Sequence, residues 1–182
     1  MSKKPISELK NKYKGLPVAV LGGGPSLPND IKKLPANCIT VMVNYHAVRL
    51  LNPDYMVFMD SPTNIELFIN TYYNFTGPRI SQLENWSDYI LDVPFWDGGF
   101  SSSLATWLAC YMGGDPVLLC GMDCYQGEEK YFYDTGGPLT HPCYSYPLEN
   151  NLKAWRPALD SCTNPDVIKA VSGPLAEIFG GY

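Results

Sequence analysis

Leu16-Pro17-Val18-Ala19-Val20-Leu21-Gly22-Gly23-Gly24-Pro25-Ser26-Leu27 is the stretch whose reading decides the fold. A short apolar run that ends in three glycines predicts a buried strand entering a tight turn. The same grammar recurs outward from it. Residues 28–34 predict a short helix, with Pro28 tolerated in its first turn and Pro35 as its stop. Residues 38–43 predict a second buried strand ending at Asn44, and residues 45–51 a helix. Residues 54–59 predict a third strand ending at Asp60; after Pro62 a helix is expected over 64–73, then a fourth strand over 79–83. A strong helix is expected over 101–112, where Leu104, Leu108, Tyr111 and Met112 share a face and Gly113-Gly114 closes the end. Residues 116–119 form another apolar run, ending at Cys120-Gly121. Beyond a loop rich in Tyr, Gly and Pro, a helix over 148–162 should bend or split at Pro157, followed by a strand over 166–171 and a short helix over 174–179.

These strands are continuously apolar rather than alternating, and they alternate with helices. That pattern predicts an α/β fold: a Rossmann-like three-layer domain whose sheet is mainly parallel and covered on both faces. A chain of 182 residues suits one domain, so residues 1–182 are expected to form a single nucleotide-binding α/β domain, with 125–147 as a loop or short lid over the site.

Composition excludes several classes. Hydrophobic residues make up 46% of the chain, enough for a packed core, and the formal net charge is −5. The one concentration of basic residues, Lys3, Lys4, Lys10, Lys12 and Lys14, reads as a solvated amphipathic start. Without a Lys/Arg stripe to replace counterions, no nucleic-acid partner is expected. No run approaches the ~20 apolar residues of a membrane span, and no signal peptide is visible, so a cytoplasmic location is expected. The six cysteines should be reduced thiols packed as small hydrophobes. Cys120, Cys124, His141 and Cys143 match no common zinc spacing, and no metal site is expected from them.

Parallel sheets of this kind bind ligands outside the carboxyl ends of their strands. Three segments there carry chemistry. In Gly22-Gly23-Gly24-Pro25-Ser26-Leu27, amides can approach an anion and Ser26 can cap the helix or donate to a phosphate oxygen. The dinucleotide fingerprint fails because Leu27 stands at its third glycine, and the P-loop fails because no Gly-Lys-Ser/Thr follows. A turn that merely joins strand to helix explains the glycines as well. In Gly98-Gly99-Phe100-Ser101-Ser102-Ser103, Ser101, Ser102 and Ser103 open a helix, and capping needs only one of them. In Gly121-Met122-Asp123-Cys124-Tyr125-Gln126, Asp123 suits a loop or a ribose, while Tyr125 and Tyr131 either face a phosphate or cover the core. Histidine is scarce: His46 reads as a surface or partly buried residue, and His141 lies in the long loop where an acid or base is often carried.

At these residues the chain resembles the bacterial lipooligosaccharide sialyltransferases. Those enzymes carry a G-N-G-P-S turn, an Asn after the second strand, and a strand ending in G-I-D-F-Y-Q with a second Tyr six residues beyond the first. Gly22-Gly23-Gly24-Pro25-Ser26, Asn44 and the pair Tyr125 and Tyr131 match in segments over residues 16–134. The resemblance implies a transferase that uses a CMP-activated nonulosonic sugar and a carbohydrate acceptor, with no cofactor and no metal required. It implies that Gly22, Gly24, Ser26 and Asn44 hold the nucleotide and that a serine among Ser101, Ser102 and Ser103 touches the donor; Gly23, Pro25, Gly99, Gly121 and Asp123 are the nucleotide-binding candidates beside them. Tyr125 and Tyr131 would stabilise the departing phosphate, and His141 would deprotonate the acceptor hydroxyl. The chain departs from the family at Gly23, where the family has Asn, and in its shorter segment between Tyr131 and His141.

Pro53-Asp54-Tyr55-Met56-Val57-Phe58-Met59-Asp60 is also similar to a strand of the motility-associated glycosylation factors and hydroxymethylpterin diphosphokinases. That second resemblance implies an ATP-dependent diphosphokinase in which Asp60 holds a magnesium–nucleotide complex. Asp60 as a helix cap, or the whole chain as a non-catalytic nucleotide-binding protein, are the plainer alternatives. Trp86, Phe95 and Trp96 suit an acceptor platform, a homo-oligomer contact or the core alike.

Overall fold

The structure, a computed structural model, describes residues 3–92, 100–133, 147–160, 162 and 164–182. In chain order its strands are β1 (Lys4–Pro5), β2 (Val18–Leu21), β3 (Ile39–Val43), β4 (Tyr55–Phe58), β5 (Arg79–Ser81), β6 (Tyr89–Ile90), β7 (Val117–Cys120) and β8 (Ile168–Ala170). Its α-helices are α1 (Leu27–Asp30), α2 (Glu66–Asn74), α3 (Ser101–Tyr111), α4 (Leu148–Asp160) and α5 (Ala176–Phe179).

Six strands form one sheet in the order β5-β4-β3-β2-β7-β8, and every pairing in it is parallel. Strand direction along the sheet reverses its sequence order between β2 and β7, so their carboxyl ends mark the switch point. The apolar runs are continuous because both faces are covered. Val18, Val20, Val41, Val43, Val117 and Leu119 share a core with Leu104 and Leu108 of α3 and with Met112 just beyond its end. The intervening residues Ala19, Leu21, Met42, Leu118 and Cys120 share the opposite core with Leu27 and Phe68. This period-two division between two cores makes the expected α/β three-layer arrangement a finding.

α3 ends as its sequence predicts. Gly113 adopts φ +83° and donates to the Cys110 carbonyl at 2.9 Å, and Gly114 donates to Ala109 at 3.1 Å, a Schellman closure that needs a residue without Cβ penalty. Three expectations are corrected. Residues 45–51 do not form an α-helix: the chain makes a single 3₁₀ turn at Ala47–Arg49, because Pro53 biases Asn52 away from helical geometry before β4 begins. α4 is not split at Pro157; it runs through to Asp160. The strand expected over 166–171 is shorter, with a 3₁₀ turn at Pro165–Val167 preceding β8.

The lysine-rich start is solvent-facing at its lysines, yet Ile6 and Leu9 are fully buried and β1 pairs with β6 in a separate parallel ribbon. Trp86 packs on the second core beside Tyr72, ring centroids 5.2 Å apart, whereas Phe95 and Trp96 lie outside the described residues. Cys38, Cys110, Cys120, Cys124 and Cys162 are free thiols; burial pushes Cys38 up to about 11 and Cys124 up to about 12, so both stay protonated. Among the described residues no helix is long and apolar enough to cross a membrane.

Both margins of the sheet are finished by the chain itself. At β8, Ala170 donates to Gly180 and accepts from Tyr182, each at 3.0 Å. At β5, the Arg79 amide donates to Asp88 Oδ2 at 2.8 Å and the Ser81 amide to Ser87 Oγ at 3.1 Å.

Candidate active site

The carboxyl ends of β2, β3, β4 and β7 and the N-terminus of α3 enclose one cavity of about 630 Å³. That size suits a small-molecule ligand. Gly22, Gly23, Gly24, Asn44, Asp60, Ser101, Ser102, Gly121, Asp123, Tyr125 and Tyr131 all line it. Residues separated by about a hundred positions in sequence therefore meet at one rim, because parallel strands present all their carboxyl ends on the same side.

The glycine turn is knitted to the end of β7. Gly22 donates to the Cys120 carbonyl at 2.8 Å and Gly24 to the Gly121 carbonyl at 2.9 Å. The Ser26 amide donates to Asp123 Oδ2 at 3.1 Å, and Ser26 Oγ lies 2.9 Å from the same oxygen and 3.0 Å from Asp30 Oδ2. Among the described residues, only the Gly23 amide of this non-proline turn lacks an acceptor. A Cβ on Gly22 would collide with the Gly121 carbonyl oxygen, and one on Gly24 with the Asp123 carboxylate. The glycines thus allow two strand tips to touch. Pro25 and Ser26 do not line the cavity, and Ser26 neither caps α1 through its side chain nor keeps its hydroxyl for a phosphate.

Asp30 anchors this knot and has no local sequence signal. Its buried carboxylate accepts from the Gly121 amide at 3.0 Å and from Ser172 Oγ at 2.8 Å, and lies 3.7 Å from Lys33 Nζ. The partners lie 91 and 142 positions away. Asn151 and Trp155 of α4 are also unforeseen lining residues; both are buried, and Asn151 Nδ2 donates to the Cys124 carbonyl at 3.3 Å.

The α3 N-terminus differs. Ser103 is consumed locally: its Oγ accepts from the Phe100 amide at 3.1 Å and donates to the Phe100 carbonyl at 2.7 Å, and it does not line the cavity. Ser101 Oγ accepts from the Met59 amide at 3.1 Å, tying α3 to the end of β4. Ser102 Oγ and the Ser101 and Ser102 amides have no partner among the described residues. A helix N-terminus with free amides and a hydroxyl favours an anion.

Asn44 adopts φ +54°, a conformation Asn tolerates, and donates its amide to the Val57 carbonyl at 2.8 Å. Its buried Oδ1 is the unsatisfied side-chain acceptor among the described residues. A buried acceptor without a donor is costly, and a ligand donor would satisfy it.

Tyr125 and Tyr131 meet edge to face with ring centroids 6.2 Å apart, and Tyr125 sits at φ +57° after Cys124 at φ +53°. The loop carrying them is held down where Phe132 donates to the Gly23 carbonyl at 3.0 Å and Lys130 Nζ donates to the Tyr125 and Gly127 carbonyls, each at 2.8 Å. His46 is buried, not a surface residue, and burial with the nearby Arg49 charge lowers it to about 3, so the ring is neutral. Asp60 is exposed at the rim; the capping role falls instead to Ser61, whose hydroxyl accepts from the Thr63 amide at 3.4 Å. No group of acidic, histidine or cysteine side chains among the described residues is placed to hold a metal ion. Gly99 and His141 lie outside the described residues.

No protein-family model matches the chain, and no curated protein matches it. Among solved structures it is similar to the sialyltransferase CstII from Campylobacter jejuni in complex with the substrate analogue CMP-3FNeuAc, at TM-score 0.52 and 17% identity over 91% of this chain and 86% of that one. It also matches the same enzyme in complex with cytidine-5′-monophosphate, at TM-score 0.49 and 17% identity over 92% and 85% of the two chains. At this identity the likeness to the first of these is one of fold.

Proposed function

We propose that this protein is a glycosyltransferase-like enzyme that moves a nonulosonic (sialic acid-type) sugar from a CMP-activated donor to an acceptor hydroxyl. The observation that carries this reading is the cavity itself. Free helix-terminal amides, a free serine hydroxyl, an unsatisfied Asn44 Oδ1 and two phenols line one space, in a fold similar to that of an enzyme solved with a CMP-sugar analogue. The donor phosphate would sit at the N-terminus of α3, against Ser102 and the Ser101 and Ser102 amides, and not in the glycine turn, where among the described residues the Gly23 amide alone is left without an acceptor. Asn44 Oδ1 would accept from the nucleoside. Gly22, Gly23, Gly24, Gly121 and Asp123 would shape the cavity wall, and residues 125–147 would serve as its cover within a single domain.

In the reaction the acceptor oxygen bonds to the anomeric carbon as the bond from that carbon to the CMP phosphate oxygen breaks. The electron pair leaves with CMP, and Tyr125 and Tyr131 hydrogen-bond the developing phosphate charge, an electrostatic role. The acceptor proton passes to a base, which the family resemblance assigns to His141.

Calorimetry with CMP, with ATP and with ATP plus magnesium tests this directly. CMP binding without metal is the expected result. Binding of ATP only with magnesium would replace the reading with the diphosphokinase one, centred on Asp60. Binding of none of the three would leave the fold without this activity.

A further inference from the structure

His46 does not figure in the transfer chemistry above, yet its ring packs against three tyrosines beside the site. Its ring stacks on Tyr131 at a centroid distance of 4.8 Å and an interplanar angle of 24°. Its Nδ1 is 2.7 Å from Tyr133 Oη, and the Arg49 guanidinium lies 4.2 Å above the Tyr133 ring. Tyr45 closes the other side at 4.6 Å. Gly23 makes this packing possible: a Cβ there would lie 2.6 Å from His46 Cγ and 2.8 Å from Tyr131 Cδ1. The missing side chain at Gly23 and the imidazole of His46 are therefore two halves of one arrangement.

We infer that His46 is the positioning residue for Tyr131, its stacked ring and its hydrogen bond to Tyr133 fixing the Tyr131 phenol in the cavity wall. The inference deepens the proposed transferase reading and rests on it for its catalytic consequence. A phenol acts on a leaving phosphate only within hydrogen-bond reach, so an ångström of drift is costly. Tyr131 lies on a loop without regular structure, so its ring depends on what it packs against. Because the ring is buried beside a cation, it holds Tyr131 as a neutral aromatic plate through the ordinary pH range.

The test compares wild type, His46→Ala and His46→Phe. With a CMP-activated sialic acid as donor, His46→Ala should lower kcat roughly tenfold to a hundredfold while KM and the CMP dissociation constant move less than about threefold. His46→Phe, which restores the plate, should recover most of kcat. A kcat unchanged in His46→Ala, or a His46→Phe no better than His46→Ala, would overturn the inference. Tyrosine-ring NMR, with Tyr131 assigned by Tyr131→Phe, supplies a second readout. The Tyr131 ring signals should move in His46→Ala as the His46 ring current is lost and stay near their wild-type positions in His46→Phe, and an unmoved Tyr131 signal in His46→Ala would overturn the contact itself. If wild type neither binds CMP nor turns over the donor, the transferase reading fails, and the ring signals still decide whether His46 holds Tyr131.

Discussion

The glycine turn after β2 and the serine-rich start of α3 look alike as sequence and differ as structure. Both offer small residues ahead of a helix, the pattern of an anion cradle. In the turn, Asp123, Asp30 and the Cys120 and Gly121 carbonyls take every donor but the Gly23 amide, and two carboxylates lie against it. At α3, Ser101 and Ser103 are spent on internal bonds while Ser102 and two amides remain open to the cavity. Glycines can therefore mark a place where a protein touches itself, and only a count of which donors are already bonded separates that use from ligand binding.

Acid should break the turn side first. His46 has its folded-state value depressed to about 3, so its contribution to stability is present above its ordinary value near 6.5 and is lost as pH falls toward 3. The loss should reach roughly 4 kcal/mol near pH 3. The groups facing the ring are Arg49, Tyr45, Tyr131 and Tyr133. Urea unfolding of wild type and His46→Phe across pH 3–7 should show this slope in the first protein only, and parallel slopes would refute the depressed value. Gly24→Ala comes next, because its Cβ meets the Asp123 carboxylate: a destabilisation of about 3 kcal/mol is expected by denaturant melts. An unchanged midpoint would show that the knot is loose.

On the helix side the expected effects fall on the ligand. Tyr125→Phe combined with Tyr131→Phe should reduce turnover of a CMP-sugar about a hundredfold with CMP affinity little altered. Equal turnover would remove the phenols from the chemistry. Ser102→Ala is the smallest change: CMP affinity should weaken roughly fivefold to tenfold, with stability within about 0.5 kcal/mol of wild type. If Ser26→Ala weakened CMP more than Ser102→Ala did, the assignment of the phosphate to α3 would be reversed.

Much of this was legible in the chain. Strands buried on both faces leave unbroken apolar runs such as Val18–Leu21 and Val117–Cys120, and their polar or glycine ends could be laid along one rim from topology alone. What escaped was every feature that depends on a partner far away in sequence. Asp30 looks like an ordinary helical acid until Gly121 and Ser172 are brought to it. Asn151 looks like a surface residue on an amphipathic helix until α4 docks beside the loop of Cys124. His46 carries no local sign of its burial, which comes from Tyr131 and Tyr133, whose loop returns across the β3 end.

The closed margins of the sheet carry a consequence for assembly. With β8 bonded along Ala170 by Gly180 and Tyr182 and the outer amides of β5 occupied by Asp88 and Ser87, neither flank offers a row of free donors to a second molecule. Strand addition at β5 or β8 is therefore blocked, and a homo-oligomer has to form through other surfaces.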